Sequence, residues 1–335
     1  MRRLFAVSAL LCACCSPVER VHEVFSGAPS RTGLTPLEGG ALLGNEAGKL
    51  LHLRDGKVAW EARLSREISA RPVVAAGVVV AASVAGEWLG VDEHTGVQRW
   101  RVEDRPKAHA PLVANDTLVF GLTDGGEVLA IEAASGTLVW KRTLAAKPVS
   151  GPHPEPLFHQ GSLLVGVRDV GLFALDAESG EVLWKHAVPK LVAFTTSSTR
   201  LFVLTSQGKV LAFAAGGPLW SRTLEPGVSG EPLVQDETVW VGLSNRALLA
   251  LSVKDGAELG RLTLPAPLVG RLAAVDGQLA AATAGPEGRL YVLGAGKARA
   301  VEIRVDSPLR TGPLFDGELW WVAAGDGRVL SYRLR

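Results

Sequence analysis

No cysteine follows residue 15: the three in the chain, Cys12, Cys14 and Cys15, all sit at its start. The body therefore has neither a disulfide framework nor a thiolate zinc site. An excess of charge of one sign is missing too, since 35 Lys and Arg stand against 34 Asp and Glu for a net charge of +1. A nucleic-acid binder needs a basic surface to neutralise phosphates, so nucleic acid is not an expected partner. Long apolar runs are short of what a membrane span requires. Leu4 to Ala13 falls well below the ~20 residues of a spanning helix, and Pro72 to Gly86, the longest uncharged run, is broken by Gly77 and reads as two buried strands around a turn. No segment holds capped helical periodicity over ten residues. The signatures of a nucleophile elbow, a zinc protease helix, an EF-hand loop and a phosphate-binding loop are all absent. Gly44 to Lys49 misses the last by one residue of spacing and reads as a hairpin turn. The seven histidines, at 22, 52, 94, 109, 153, 159 and 186, lie near turns without metal-ligand spacing; a solvated loop is expected for His153 and His159.

What is present at the N-terminus is a targeting pattern. Arg2 and Arg3 precede the apolar stretch, and Leu11-Cys12-Ala13-Cys14 resembles a bacterial lipobox. The expected organisation is a signal peptide over 1–13, a tether over 14–17 lipidated at Cys14, with processing before Cys15 as the alternative, and one domain over 18–335. Acyl chains bury ~0.8 kcal/mol per CH2, so more than one chain holds a protein firmly on a membrane surface. Cys15 is not Asp, which by resemblance to enterobacterial lipoproteins favours the outer membrane and its periplasmic face.

The 38 glycines and nine tryptophans fall into a repeat. The segments ending RDGKVAW, HTGVQRW, ASGTLVW, ESGEVLW and AAGGPLW place Gly56, Gly96, Gly136, Gly180 and Gly216 four residues before Trp60, Trp100, Trp140, Trp184 and Trp220. Gly256 keeps the register where Gly260 replaces the tryptophan, and a fainter unit follows at 294–300. Each unit holds Val- and Leu-rich runs separated by Asn-Asp, Asp-Gly or Ser-Gly turns, which reads as a four-stranded antiparallel meander. The last unit stops before its fourth strand, while residues 18–26 precede the first whole unit as a spare one. The chain is therefore predicted to be all-β, an eight-bladed propeller closed by pairing of its N- and C-terminal strands, which leaves no sheet edge in need of a cap.

The unit end ALDAESGEVLW, Ala174 to Trp184, resembles the PQQ-like repeat, and Gly90 to Trp100 and Ala130 to Trp140 match nearly as well. The expected roles are structural: each Trp lies flat between blades, each Gly serves a turn, and Asp92, Glu132 and Asp176 accept hydrogen bonds from that turn. No catalytic, cofactor or metal residue is assigned, and no enzyme is expected. The insertion from Lys147 to Pro156, with Lys147, Pro148, His153 and Pro154, is the candidate partner-contact loop. Trp320 and Trp321 face opposite ways in one strand. Arg71, Glu231, Arg271 and Arg310 are expected to rim the central channel. An exported lipidated propeller of this size resembles the BamB family of outer-membrane lipoproteins. That resemblance implies a non-enzymatic scaffold that assists β-barrel assembly by binding the POTRA domains of the insertase BamA. The rivals are an orphan envelope propeller with another protein partner, and a propeller holding a quinone or sugar in its channel, as the quinoprotein dehydrogenases hold their redox cofactor.

Overall fold

The structure is a computed structural model that describes residues 18–108, 110–145, 153–214, 217–294 and 301–334. Its runs of Val, Leu and Ala form strands whose order along the chain is also their order within each sheet. In blade 3 these are Val113–Ala114, Leu118–Leu122, Glu127–Glu132 and Leu138–Thr143. Seven consecutive four-stranded sheets follow this plan over 34–63, 73–102, 113–143, 157–186, 191–223, 228–263 and 273–305. The middle strands are covered by a neighbouring blade on each face, so they read as continuous apolar runs; Val78–Ala82 is buried throughout. The outermost strands are mostly exposed; in Lys57–Arg63 Trp60 is the one buried residue.

The eighth sheet closes the ring. Its order runs from Leu314–Phe315 through Trp320–Ala323 and Arg328–Leu334 to Val18–Phe25. The first strand pairs antiparallel with the last from Val18 opposite Leu334 to Phe25 opposite Arg328. Trp320 and Trp321 are both buried, and their opposite directions send them into two cores. Trp320 packs with Val292 and Ile303 of blade 7, and Trp321 with Leu43 and Leu51 of blade 1.

Neighbouring blades meet through the repeated tryptophans. A Cβ on Gly96 would stand 2.7 Å from the Trp60 ring of the preceding blade, and Gly96 has φ +69, so no other residue fits there without strain. The same arrangement holds for Trp100 on Gly136, Trp140 on Gly180 and Trp220 on Gly256. Each of these indole N–H groups donates to a carbonyl of that turn: Glu93 at 3.0 Å, Ala133 at 2.8 Å, Ala177 at 3.0 Å and Val253 at 3.1 Å. A bulge beside each tryptophan aims the ring. Gly90 faces Trp100 but Val91 faces Gln98, which leaves Arg99 as the extra residue, and it reaches the Asp92 carboxylate at 2.6 Å. At the closing junction, His22 of the first strand takes the place of tryptophan: its ring lies over Gly56 and stacks on Trp321 with centroids 6.0 Å apart.

The acidic residues of the turns divide by length. Asp92 accepts from the backbone N–H groups of His94 and Thr95, and Asp176 from those of Glu178 and Ser179. Glu132, expected to do the same, instead receives only the Ser135 hydroxyl, because its extra methylene carries the carboxylate past the turn's N–H groups. Arg99 and the Thr95 donors hold Asp92 well below the usual carboxylate range, and the Ser179 N–H and hydroxyl lower Asp176.

Two expectations follow. Trp60→Ala is expected to cost about 3–5 kcal/mol in urea denaturation, whereas Trp184→Ala, at a residue 37% exposed, costs about 1 kcal/mol or less. A folded pKa below the unfolded ~3.9 adds stability that is complete above that value and disappears as pH falls through the folded one. The double variant Asp92→Asn/Asp176→Asn is therefore expected to lose less melting temperature than the parent on acidification from about pH 5 to about pH 2, read by circular dichroism.

Candidate functional site: the channel mouth and the blade junctions

Charged residues just before or within the innermost strands of several blades meet one another near the propeller axis. Arg71, Glu155, Glu231 and Arg271 line one cavity of about 110 Å³ with Arg31 and Arg310. The Glu155 carboxylate takes the Arg71 guanidinium of blade 2 and, at 3.3 Å, that of Arg271 in blade 7. Burial, with the Arg271 charge nearby, lowers the Arg71 pKa to about 9 against the opposing pull of Glu231. The group remains charged at neutral pH. A second carboxylate, Glu46, pairs with Arg31 at 2.6 Å and Arg310 at 3.5 Å. Ion pairs at the mouth thus tie blade 4 to blades 2 and 7, and blade 1 to blade 8.

The four channel residues expected from the sequence are brought together here, and Glu155 and Glu46 join them. Glu155 falls at the end of the insertion read as a contact loop. Its signal is nevertheless present: Arg71-Pro72, Glu155-Pro156 and Glu231-Pro232 all place a charged residue before a proline at the head of an innermost strand.

The expectation of exposed contacts is corrected at His153 and Pro154, which are both buried. The His153 ring accepts the Arg168 N–H at 3.2 Å and lies 3.4 Å from the Asp124 carbonyl, and burial lowers its pKa. Pro154 packs so closely on Gly166 that a Cβ there would meet it at 3.0 Å. These two residues anchor the chain as it enters blade 4. His159, also read as solvated, is half-buried. Cys14, Lys147, Pro148 and Gly216 lie outside the described residues. Among the described residues no three His, Cys, Asp or Glu side chains gather as metal ligands, and no helix is long and apolar enough to cross a membrane.

Two of the junctions that depart from the tryptophan rule leave open space. Trp184 is 37% exposed, against 7% and 8% for Trp60 and Trp100. The hairpin facing it is short: Ala212 pairs with Trp220, whereas Ala130 pairs with Trp140 two residues further along the chain. Between blades 6 and 7 the ring itself is missing. Gly260 stands in its position, a Cβ there would touch nothing within 4 Å, and a cleft of about 380 Å³ opens beside Trp240, Leu262 and Leu279.

Ring closure by the first strand, a tryptophan laid on a glycine turn and repeats of this pattern define the class: an eight-bladed β-propeller of PQQ-like repeats. The model of the family described as outer membrane protein assembly factor BamB matches residues 19–152 and 168–259. Over more than half its length, then, the chain carries that pattern, and it belongs to this family. The protein of that name from Yersinia pestis is 27% identical over 190 residues, which cover 52% of this chain and 48% of the relative. That from Escherichia coli K12 is 25% identical over 241 residues, covering 67% of this chain and 62% of the relative. These matches thus span about half to three-fifths of the relatives' own length. The crystal structure of BamB from Moraxella catarrhalis superposes with a TM-score of 0.81 over 94% of this chain and 99% of that one, at 18% identity. The likeness there is one of fold.

At the channel mouth, Glu155→Gln is expected to destabilise the protein by roughly 3 kcal/mol, because it leaves two guanidinium groups without their shared carboxylate. Arg71→Met/Glu155→Met, which removes the buried charge with its partner, is expected to recover most of that loss. Urea denaturation of the two variants tests the pairing, and equal losses would refute it.

Proposed function

We propose that this protein is a non-enzymatic scaffold of the bacterial cell envelope, held by lipid at Cys14 on the periplasmic face of the outer membrane, where it assists β-barrel protein assembly. The observation that carries this reading is membership of the BamB family along most of the propeller. The chemistry of the ring agrees with it. Most of the repeated Trp and Gly residues are engaged in holding blades together, the Asp residues in shaping their turns, and the channel-mouth Glu155 is paired with arginines of other blades. Recognition then falls to the turns and junctions that project from a rigid body. The proposed partner is the POTRA region of the insertase BamA, with the lipid bringing the propeller to the membrane that holds it.

Crosslinking in cells followed by pull-down of the lipidated protein tests the assignment, with recovery of BamA as the expected outcome. Cys14→Ala is expected to release the protein from the membrane fraction and to reduce that recovery. Membrane association unchanged by Cys14→Ala would overturn the anchor. Recovery of a different envelope protein in place of BamA would overturn the partner. A quinone chromophore retained by the purified protein with calcium would overturn the scaffold reading itself.

A further inference from the structure

Where Trp184 is left uncovered, the junction of blades 4 and 5 forms a cavity of about 350 Å³, within the ~300–1,000 Å³ of small-molecule sites. One wall is aromatic. The Trp184 and His186 rings lie 5.0 Å apart, and His186 stacks on Phe213 at 5.0 Å with an interplanar angle of 21°. His159, Gln160, Ser162 and Thr199 add polar groups to the lining. No Asp, Glu, Lys or Arg lines the cavity. Burial lowers the His159 pKa, which favours the neutral ring.

We propose that this junction binds a neutral saccharide. A pyranose is amphipathic: one face presents C–H groups and the edge presents hydroxyls. An exposed indole of this kind offers a flat apolar platform for the C–H face. Hydroxyl, amide and imidazole groups around it can both donate to and accept from the sugar hydroxyls. The Gln160 amide N–H already donates to the Ser198 carbonyl at 3.0 Å, which fixes the side chain and leaves its carbonyl oxygen for the ligand. A charged ligand would find no counter-ion in the lining. An apolar protein side chain would cover the aromatic wall but leave the polar groups without partners, at a desolvation cost. The site arises from the repeat itself: the hairpin that follows Ala212 is two residues shorter than that after Ala130, so the tryptophan of the preceding blade keeps an open face.

Tryptophan fluorescence and saturation-transfer NMR of the full chain, titrated with glucose, N-acetylglucosamine, glucosamine and glucuronate, test the proposal. Glucose or N-acetylglucosamine is expected to bind with a Kd of roughly 1–10 mM, and the ammonium and carboxylate sugars at least about fivefold more weakly. Trp184→Ala is expected to weaken binding more than about tenfold, with the melting temperature nearly unchanged because the side chain is already exposed. Trp184→Phe is expected to retain part of the affinity. No binding of either neutral sugar at about 100 mM, binding unaffected by Trp184→Ala, or tighter binding of N-acetyltryptophanamide than of any sugar would each overturn it.

Discussion

A propeller stands or falls on how consecutive blades lock to one another, and here the lock is a flat ring laid on the turn of the next blade. The ring must come from the outermost strand, where a bulge opposite Gly90, Ala130 and Ala174 aims it across the gap. The turn that receives it must have no side chain, because the indole occupies the place of a Cβ. It must also offer a carbonyl, since a buried indole N–H left unpaired would offset much of the gain from packing. A single spacing in the sequence, glycine four residues before tryptophan, satisfies all three needs. The glycine serves the preceding blade's ring and the tryptophan serves the following blade's turn, so each unit is specified jointly with its neighbours.

Closure obeys the same constraint with a different ring. The first strand supplies His22, whose imidazole lies on Gly56 while its Nδ1 reaches the Ser331 hydroxyl at 3.1 Å. The hairpin of blade 1 is of the shorter kind, with His52 opposite Trp60, and a smaller ring suits it. At the junction of blades 4 and 5 a hairpin with the same offset meets a full indole, and Trp184 remains partly in solvent. Ring size and hairpin length must therefore match, and where Trp184 meets the shorter hairpin an aromatic face stays open.

The fold was legible because its determinants are local and repeated. Gly96 with Trp100, the paired turn residues and the strand that is spare at the start and missing at the end all lie within a few residues of one another or at fixed offsets. The placing of Arg71, Glu231, Arg271 and Arg310 at the channel was legible for the same reason, from their position at the head of innermost strands. Glu155 was not, because the insertion that delivers it breaks the register, and its partner Arg71 is 84 residues distant in sequence. The burial of His153 likewise depends on Asp124 and Arg168, which reach it from blade 3 and from a different turn of blade 4. Trp184 satisfies the motif as fully as Trp140 does; its exposure is set by the length of a hairpin in the next blade, which the motif of its own blade does not contain.

These particulars bear on where recognition can reside. A ring closed by backbone hydrogen bonds between its first and last strands distributes stability over eight junctions, and the ion pairs of Glu155 add ties between blades 2, 4 and 7, which are not neighbours. Loss of one interlocking ring then lowers stability without opening the circle, as Gly260 demonstrates by standing in the ring position with open space beside it. Positions freed in this way are held by rigid strands on both sides, so a side chain displayed there keeps a fixed geometry at little entropic cost. A surface loop must be ordered when a ligand binds, whereas Trp184, His186 and Phe213 are already arrayed by their strands. The irregular junctions of a regular propeller are therefore its best-organised surfaces for binding, and the departures from the repeat carry the functional information that the repeat itself lacks.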